Sequence, residues 1–476
     1  MSAPAQTTQP SPNDLRQVML GLGLAMLLSA LDQTIVATAL PTIGAELGDF
    51  ERLPWIVTAY LVAATTVTPL YGKLADIHGR RVMLLVGVAI FVAGSVACAL
   101  APSMTLLAAA RAFQGLGGGG LISLAQTVVA DLVSPRERGK YQTYFSVVFV
   151  TSSVAGPALG GFFAQYLHWS LIFWINVPLG ALAFFMTNAR LARLPEQRHP
   201  HRLDWLGALW LALAASLLLL ALGRSETPGG APGLSLQGVA LFAASGLCWT
   251  LFALRTRRVE EPFIPLSVLT NSIARAATLS SAFGLGAFVG LSVVMPLYFE
   301  GALGLTASRS GLALIPLMIA TVIGATVSGR IMAVVENYKR LPLAALALAT
   351  LAAVGLALGV GRLPLLALNA LLATVSFGVG AILPVATVSV QNAVPTRDLG
   401  AATATMQFFR QLACALIVAL LGALVIGAAG ADPQRLAGAF AGVFWVVAVC
   451  TALAFVFLAR MEQRPFRAGG HKRDEV

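Results

Sequence analysis

The chain has 476 residues, of which 58% are apolar and only 11% charged, with a mean hydropathy of +0.83. Soluble domains carry roughly a quarter charged residues, so this composition cannot cover a water-facing surface, and the solvent it implies is lipid. The net charge of +11 does not point to nucleic acid, because the Lys and Arg residues sit in short clusters between apolar stretches, as orientation signals do.

The opening MSAPAQTTQPSPND is polar and Pro-rich and lacks the basic region and cleavage site of a leader, which predicts an uncleaved, disordered cytoplasmic tail over 1–16. Apolar runs broken by charge, Gly or Pro then predict helices at 17–42, 54–72, 82–101, 105–131, 140–165 and 169–190. Two more follow at 204–222 and 237–254, and a further six at 275–298, 309–332, 341–360, 364–391, 400–428 and 438–460. The expected fold is therefore an all-α polytopic membrane protein with 14 transmembrane helices: a six-helix bundle over 17–190, two inserted helices over 204–254, a second six-helix bundle over 275–460 and a cytoplasmic tail over 461–476. Cys98, Cys248, Cys414 and Cys450 all fall inside apolar stretches with no metal-ligand spacing, and read as small packing residues.

Orientation follows from the basic residues. With both termini inside, 24 of the 31 Lys and Arg fall in inner segments and five in outer loops, while Arg111 and Arg410 lie within spans. An internal repeat supports the same architecture. DLVSPRERGKYQTYF from Asp131 resembles NAVPTRDLGAATATM from Asn392, each following a fourth span and opening a fifth. The two bundles thus read as parallel repeats about an axis along the membrane normal, an arrangement that holds a substrate cavity between them.

Charges at mid-membrane cost about 2.5 to 3.5 kcal/mol on insertion scales, so each requires a partner or a function. Asp32 lies about 22 Å above the inner edge and Arg111 about 21 Å, by helix rise. The matching depths predict that the two face one cavity and are electrostatically coupled, with Gln33 and Gln114 as polar neighbours. A carboxylate so placed can bind a proton or a cation, and competition for it would produce exchange. The competing reading is a fixed ion pair that specifies helix packing. Glu300, near the outer end of the ninth span, is a second acidic candidate or a solvated helix-end charge. Arg410, flanked by Gln407 and Gln411, lines the second half of the cavity or serves packing.

Between the second and third spans, Gly72-Lys-Leu-Ala-Asp76-Ile-His-Gly79-Arg80-Arg81 resembles the signature loop of the major facilitator superfamily. Its glycines permit a tight turn and close helix approach, and Asp76 can pair with Arg80 or Arg81 at the cytoplasmic face. The resemblance implies that Asp76 also faces the positive N-terminal end of the second bundle's fifth helix, here Arg397 to Gly400. Arg111-Ala-Phe-Gln114-Gly115-Leu-Gly117 resembles the family's helix-4 motif, which implies a role for Arg111 in proton coupling. Gly156-Pro157-Ala-Leu-Gly160-Gly161 resembles the motif of antiporters, with Ser152 where relatives often carry a further glycine. The stretch from Leu31 through Asp32 to Pro41 resembles the helix-1 motif of the 14-span drug:proton antiporters. In the second half the signature loop degenerates to Gly329-Arg-Ile-Met-Ala333, without the Asp.

The resemblance implies a major facilitator fold and proton-coupled efflux of amphipathic or cationic drugs across a bacterial plasma membrane, with protons as coupling ion and with no catalytic residues, bound metal or other cofactor. The glycine run Gly117 to Gly120 lies inside a span and no phosphate-cradling GxxxxGK[ST] loop is present, so nothing supports ATP drive. The short connection GAAGADPQR before the last span argues against a large extracytoplasmic adaptor. The alternatives are an uptake symporter, disfavoured by the Gly156 to Gly161 motif, and a non-transporting sensor or enzyme, for which the five His offer no constellation.

Overall fold

The computed structural model describes residues 12–48, 52–192, 203–224, 236–335, 337–426 and 433–463. Apolar runs of this length must satisfy their backbone hydrogen bonds within themselves, which gives helices throughout, and no strand occurs among the described residues. The first bundle comprises α1 (Pro12–Leu47), α2 (Leu53–His78), α3 (Arg80–Ala99), α4 (Met104–Leu132), α5 (Pro135–Tyr166), and the pair α6 (Leu171–Trp174) and α7 (Asn176–Leu191). The inserted pair is α8 (Trp205–Arg224) and α9 (Leu236–Thr256). After the short α10 (Leu266–Thr270), the second bundle comprises α11 (Ser272–Gly301), α12 (Ala307–Val334), α13 (Arg340–Gly359), α14 (Leu365–Ala393), α15 (Leu399–Ile426) and α16 (Pro433–Arg460).

Thirteen helical spans among the described residues are long and apolar enough to cross a membrane. The remaining expected span, α4, has the length, 29 residues, but Arg111, Gln114, Gln126 and four consecutive glycines dilute its hydropathy. That dilution has a packing purpose. α4 is clasped between α2 and α3, and a Cβ at Gly117 would lie 2.6 Å from the Gly87 carbonyl oxygen, while one at Gly119 would strike the Ala64 carbonyl and come within 2.7 Å of Val67. Because the obstructing atoms include backbone, Gly119→Ala is expected to cost about 1 to 3 kcal/mol, read as a lower melting temperature of the purified protein in detergent.

Several expectations are corrected. The tail drawn over 1–16 is too long, because helix α1 already begins at Pro12, whose fixed φ suits a first turn; residues 1–11 lie outside the described set, as do residues 464–476 of the second tail. The segment between the second and third spans is not a ten-residue loop. α2 continues through Asp76 to His78, and Gly79 alone, at φ 96°, turns the chain into α3. Charges beyond the apolar stretch mark the end of lipid, not the end of the helix. The sixth span runs over Leu171–Leu191 and is irregular at Ile175, because Pro178 cannot donate to the carbonyl one turn before it.

The bundles meet through α2 against α15 and α5 against α12, near the Gly79 turn, while α1 and α11 make no substantial contact with each other. Gly72 faces Gly400 and Ala404, and Gly139 faces Gly329 in a second crossing. Gln391 on α14 also reaches across, its Nε2 donating to the Gln126 carbonyl of α4 at 3.4 Å. The structure is thus closed at this face. The inserted pair borders the same seam: Thr66 and Ser216 hydroxyls join α2 to α8 at 3.1 Å, and Trp249 of α9 stacks on Phe409 of α15.

Candidate functional site

Arg111 and Asp32 form an ion pair with Nη1 to Oδ2 at 2.5 Å, and their side chains are 1% and 0% exposed. The α4 glycines that follow Arg111 draw the helix close to α2 and α3, so its long side chain is spent across the bundle interior. There Nε donates to the Ile56 carbonyl at 3.1 Å, Nη1 also donates to Gln114 Oε1 at 2.6 Å, and the guanidinium lies 4.3 Å from the centre of the Tyr60 ring. Asp32 is held from other sides as well. Gln114 Nε2 donates to its Oδ1 at 2.9 Å and Asn176 Nδ2 to the same oxygen at 3.2 Å, while both amides also donate to Ser95 Oγ.

Six helices therefore converge on one carboxylate region: α1 with Asp32, α2 with Tyr60 and Ile56, α3 with Ser95, α4 with Arg111 and Gln114, α6 with Phe173, and α7 with Asn176. The charges cancel locally, and of the donors to Asp32, Gln114 and Asn176 are neutral and only Arg111 is charged, so the carboxylate is stabilised as a network.

The expectation that the pair faces a cavity is corrected: it lies sealed inside the first bundle, because Asn176, Ser95 and Gln114 close over the carboxylate. Gln33 does not reach the Asp32 carboxylate and meets the network only at Tyr60. One residue on, the helix has turned it by about 100°, and it is exposed, with its amide returning to the Ser29 carbonyl at 3.1 Å beside the Tyr60 hydroxyl. Gln114, at i+3 from Arg111, shares its face and joins the network. Sequence reading missed Asn176, Ser95 and Tyr60. Only the irregularity at Pro178 hints at Asn176, and the neutral Ser95 and Tyr60 carry no signal of cost in lipid.

The other candidates are elsewhere. Glu300 is exposed at the end of α11 and joins neither charge. Arg410 is 3% exposed on α15, with Nε donating to Ser281 Oγ at 2.8 Å and Nη2 to Thr387 Oγ1 at 3.3 Å. Gln407 is buried and Gln411 partly so.

At the closed face, Asp76 is 1% exposed and pairs with Arg80, whose Nε also donates to Asp131 at 3.1 Å. Arg81 turns away to Asn188, with Nη2 to Oδ1 at 2.6 Å. Asp76 also accepts from the Gly400 amide at 3.2 Å and the Ala401 amide at 2.9 Å, capping α15 across the seam. Gly400 is required there because a Cβ would sit 2.6 Å from Asp76 Oδ1. Asp76→Asn keeps the shape but removes the charge, weakening hydrogen bonds of about 1.5 to 3 kcal/mol. It is expected to raise labelling of a cysteine introduced at Ala404 from this face by about tenfold or more, the equilibrium factor of such a loss.

In the antiporter-like motif, Gly156 and Gly160 admit α1, a Cβ at Gly156 falling 2.7 Å from Thr34 Cβ and one at Gly160 falling 3.1 Å from the Ile35 carbonyl carbon. Thr34 Oγ1 donates to the Ser152 carbonyl at 2.9 Å, so the serine tolerates the same close crossing. Gly161 meets nothing within 4 Å, and Pro157 lies within α5. Among the described residues no His, Cys, Asp and Glu cluster could hold a metal.

Comparison with known proteins places this arrangement among transporters. The model of the Major Facilitator Superfamily matches residues 22–418. The chain is 37% identical over 327 residues to Multidrug resistance protein 3 of Bacillus subtilis, covering 68% of this chain and 62% of that protein, so it spans less than two thirds of that relative's length. It is 32% identical over 410 residues to the Multidrug transporter protein MdtP of the same organism, covering 86% of this chain and 75% of the other. The human organic anion transporter MFSD10 has the same fold at TM-score 0.67 and 20% identity, covering 94% of this chain and all of that one.

Proposed function

Since the chain belongs to the Major Facilitator Superfamily, we propose that it is a secondary transporter that exports drug-like amphipathic compounds in exchange for protons, by alternating access between its two bundles. In this reading it crosses a bacterial plasma membrane 14 times with both termini cytoplasmic, uses no cofactor beyond the coupling proton and works without an extracytoplasmic adaptor. The connection on which the last point rests, 427–432, lies outside the described residues.

The observation that carries the proposal is a fully buried carboxylate on α1, tied to a buried arginine and to neutral amides from two further helices. A fixed structural pair would not need so many separable donors. A coupling carboxylate does, because it must be occluded in one state and reached by solvent in another. Asp76 and the glycine crossings supply the second requirement, a closed face whose contacts are polar and local enough to break and reform. The sealed pair offers no free anion to a substrate, so a preference for cationic compounds is not carried forward.

The names of the two Bacillus subtilis relatives support drug transport, and the likeness of Gly156 to Gly161 in α5 to the antiporter motif supports export. The test is directional flux. In inverted membrane vesicles, acidifying the lumen is expected to drive accumulation of an amphipathic dye and alkalinisation of the lumen on its addition. Flux of dye and proton in the same direction would establish the symporter reading instead.

A further inference from the structure

We propose that Arg410 is the anion-recognising element of a second binding site, one that takes the carboxylate of an amphipathic organic substrate. The proposal rests on the transport reading and names one class of compound the protein carries.

Arg410 stands in the middle of α15, and the environment satisfies its hydrogen bonds without neutralising its charge. Ser281 of α11 and Thr387 of α14 accept from Nε and Nη2, and both hydroxyls donate onward to carbonyls of their own helices, Ser281 to Thr278 at 3.0 Å and Thr387 to Leu383 at 2.9 Å. Both acceptors are therefore neutral and fully engaged. Nη1 has no partner among the described residues. On α11, α14, α15 and the turn before α15, the acidic side chains are Asp398 and Glu300, and both lie far along the chain. Asp398 precedes Arg410 by 12 positions, about 18 Å along the axis, and Glu300 follows Ser281 by 19 positions, about 28 Å.

The contrast with the first bundle is direct. Arg111 spends its charge on Asp32 at 2.5 Å, whereas Arg410, 3% exposed, keeps a whole positive charge at membrane depth. Insertion scales put that at about 2.5 to 3.5 kcal/mol, a cost that selects for use. A guanidinium anchored on one edge and free on the other presents the fork geometry that a carboxylate fits in bidentate fashion. α15 packs on α11 and α14 within its bundle and on α2 and α4 of the other, so Arg410 stands on a helix shared by the two halves that alternating access would move. Gln407, at i−3, shares its side of α15 and adds a neutral polar group.

The test uses the full chain in proteoliposomes and two xanthene dyes: fluorescein, which carries a free carboxylate, and rhodamine 6G, in which that group is esterified and the net charge is positive. The ratio of their affinities is expected to fall about tenfold or more in Arg410→Gln, the effect of one charged hydrogen-bonded contact, and to recover in part in Arg410→Lys. An unchanged ratio overturns the proposal, as does equal loss of both dyes by a variant that melts normally, which would assign Arg410 to packing. Independently of any variant, 4-butylbenzoate is expected to displace fluorescein from the native protein and its methyl ester is not. Equal displacement by the ester, or no binding of fluorescein by the native protein, also overturns it. Proton-driven uptake of rhodamine 6G alongside absent fluorescein binding would defeat this site while leaving the efflux reading intact; absence of any proton-linked dye flux would defeat the efflux reading itself.

Discussion

Asp32→Asn is expected to abolish proton-linked efflux, lowering the rate by roughly a hundredfold or more, the scale on which loss of a proton-transferring group acts. The substitution keeps the side chain's shape, so loss of flux with retained expression and a normal melting temperature assigns the loss to the carboxylate's charge and hydrogen bonds rather than to unfolding. What it removes is specific. An amide cannot satisfy Arg111 Nη1 and both the Gln114 and Asn176 amides at once, since its nitrogen meets only donors wherever it points. Counterflow of unlabelled against labelled dye, which needs no net proton movement, is the discriminating measurement. If Asp32→Asn retained full gradient-driven efflux, the carboxylate would not be the coupling group.

The second large effect is on stability. Arg111→Gln leaves Asp32 as an uncompensated buried charge among neutral amides, and breaking a buried pair in this way costs about 3 to 5 kcal/mol. The variant is expected to melt well below the native protein in detergent and to express poorly. Combining it with Asp32→Asn restores neutrality, so the double variant is expected to be more stable than Arg111→Gln alone, a coupling energy of about 1 to 3 kcal/mol in a double-mutant cycle. Additive losses would show that packing around Arg111, against Tyr60 and Phe173, outweighs its charge. The recovered stability would not recover efflux, because no carboxylate is present.

These two predictions rest on residues of unequal visibility. Asp32 and Arg111 stood out in the sequence because charge is expensive in lipid, and that cost depends on depth alone, which helix rise gives directly. Gln114 followed from its spacing to Arg111. Gln33 did not follow, because adjacency in a helix places neighbours on different faces. Asn176 was out of reach: it comes from a different helix, 144 positions from Asp32, and an uncharged amide in an apolar run carries no cost large enough to announce it. Asp76 was legible as a motif, but its partners, the amides of Gly400 and Ala401, are backbone groups and leave no trace in side-chain chemistry.

By itself the sequence determined the all-helical class, the apolar stretches that become spans and the candidate charges, because burial in lipid is written one residue at a time in hydropathy and period. Only the tertiary structure decided that Asp32 is sealed instead of lining a chamber, that Arg81 serves Asn188 while Arg80 serves Asp76, and that Arg410 has hydroxyls but no counter-ion. Those outcomes depend on which helix faces cross at the glycines, and crossing geometry is a property of pairs of surfaces that no single stretch of chain contains.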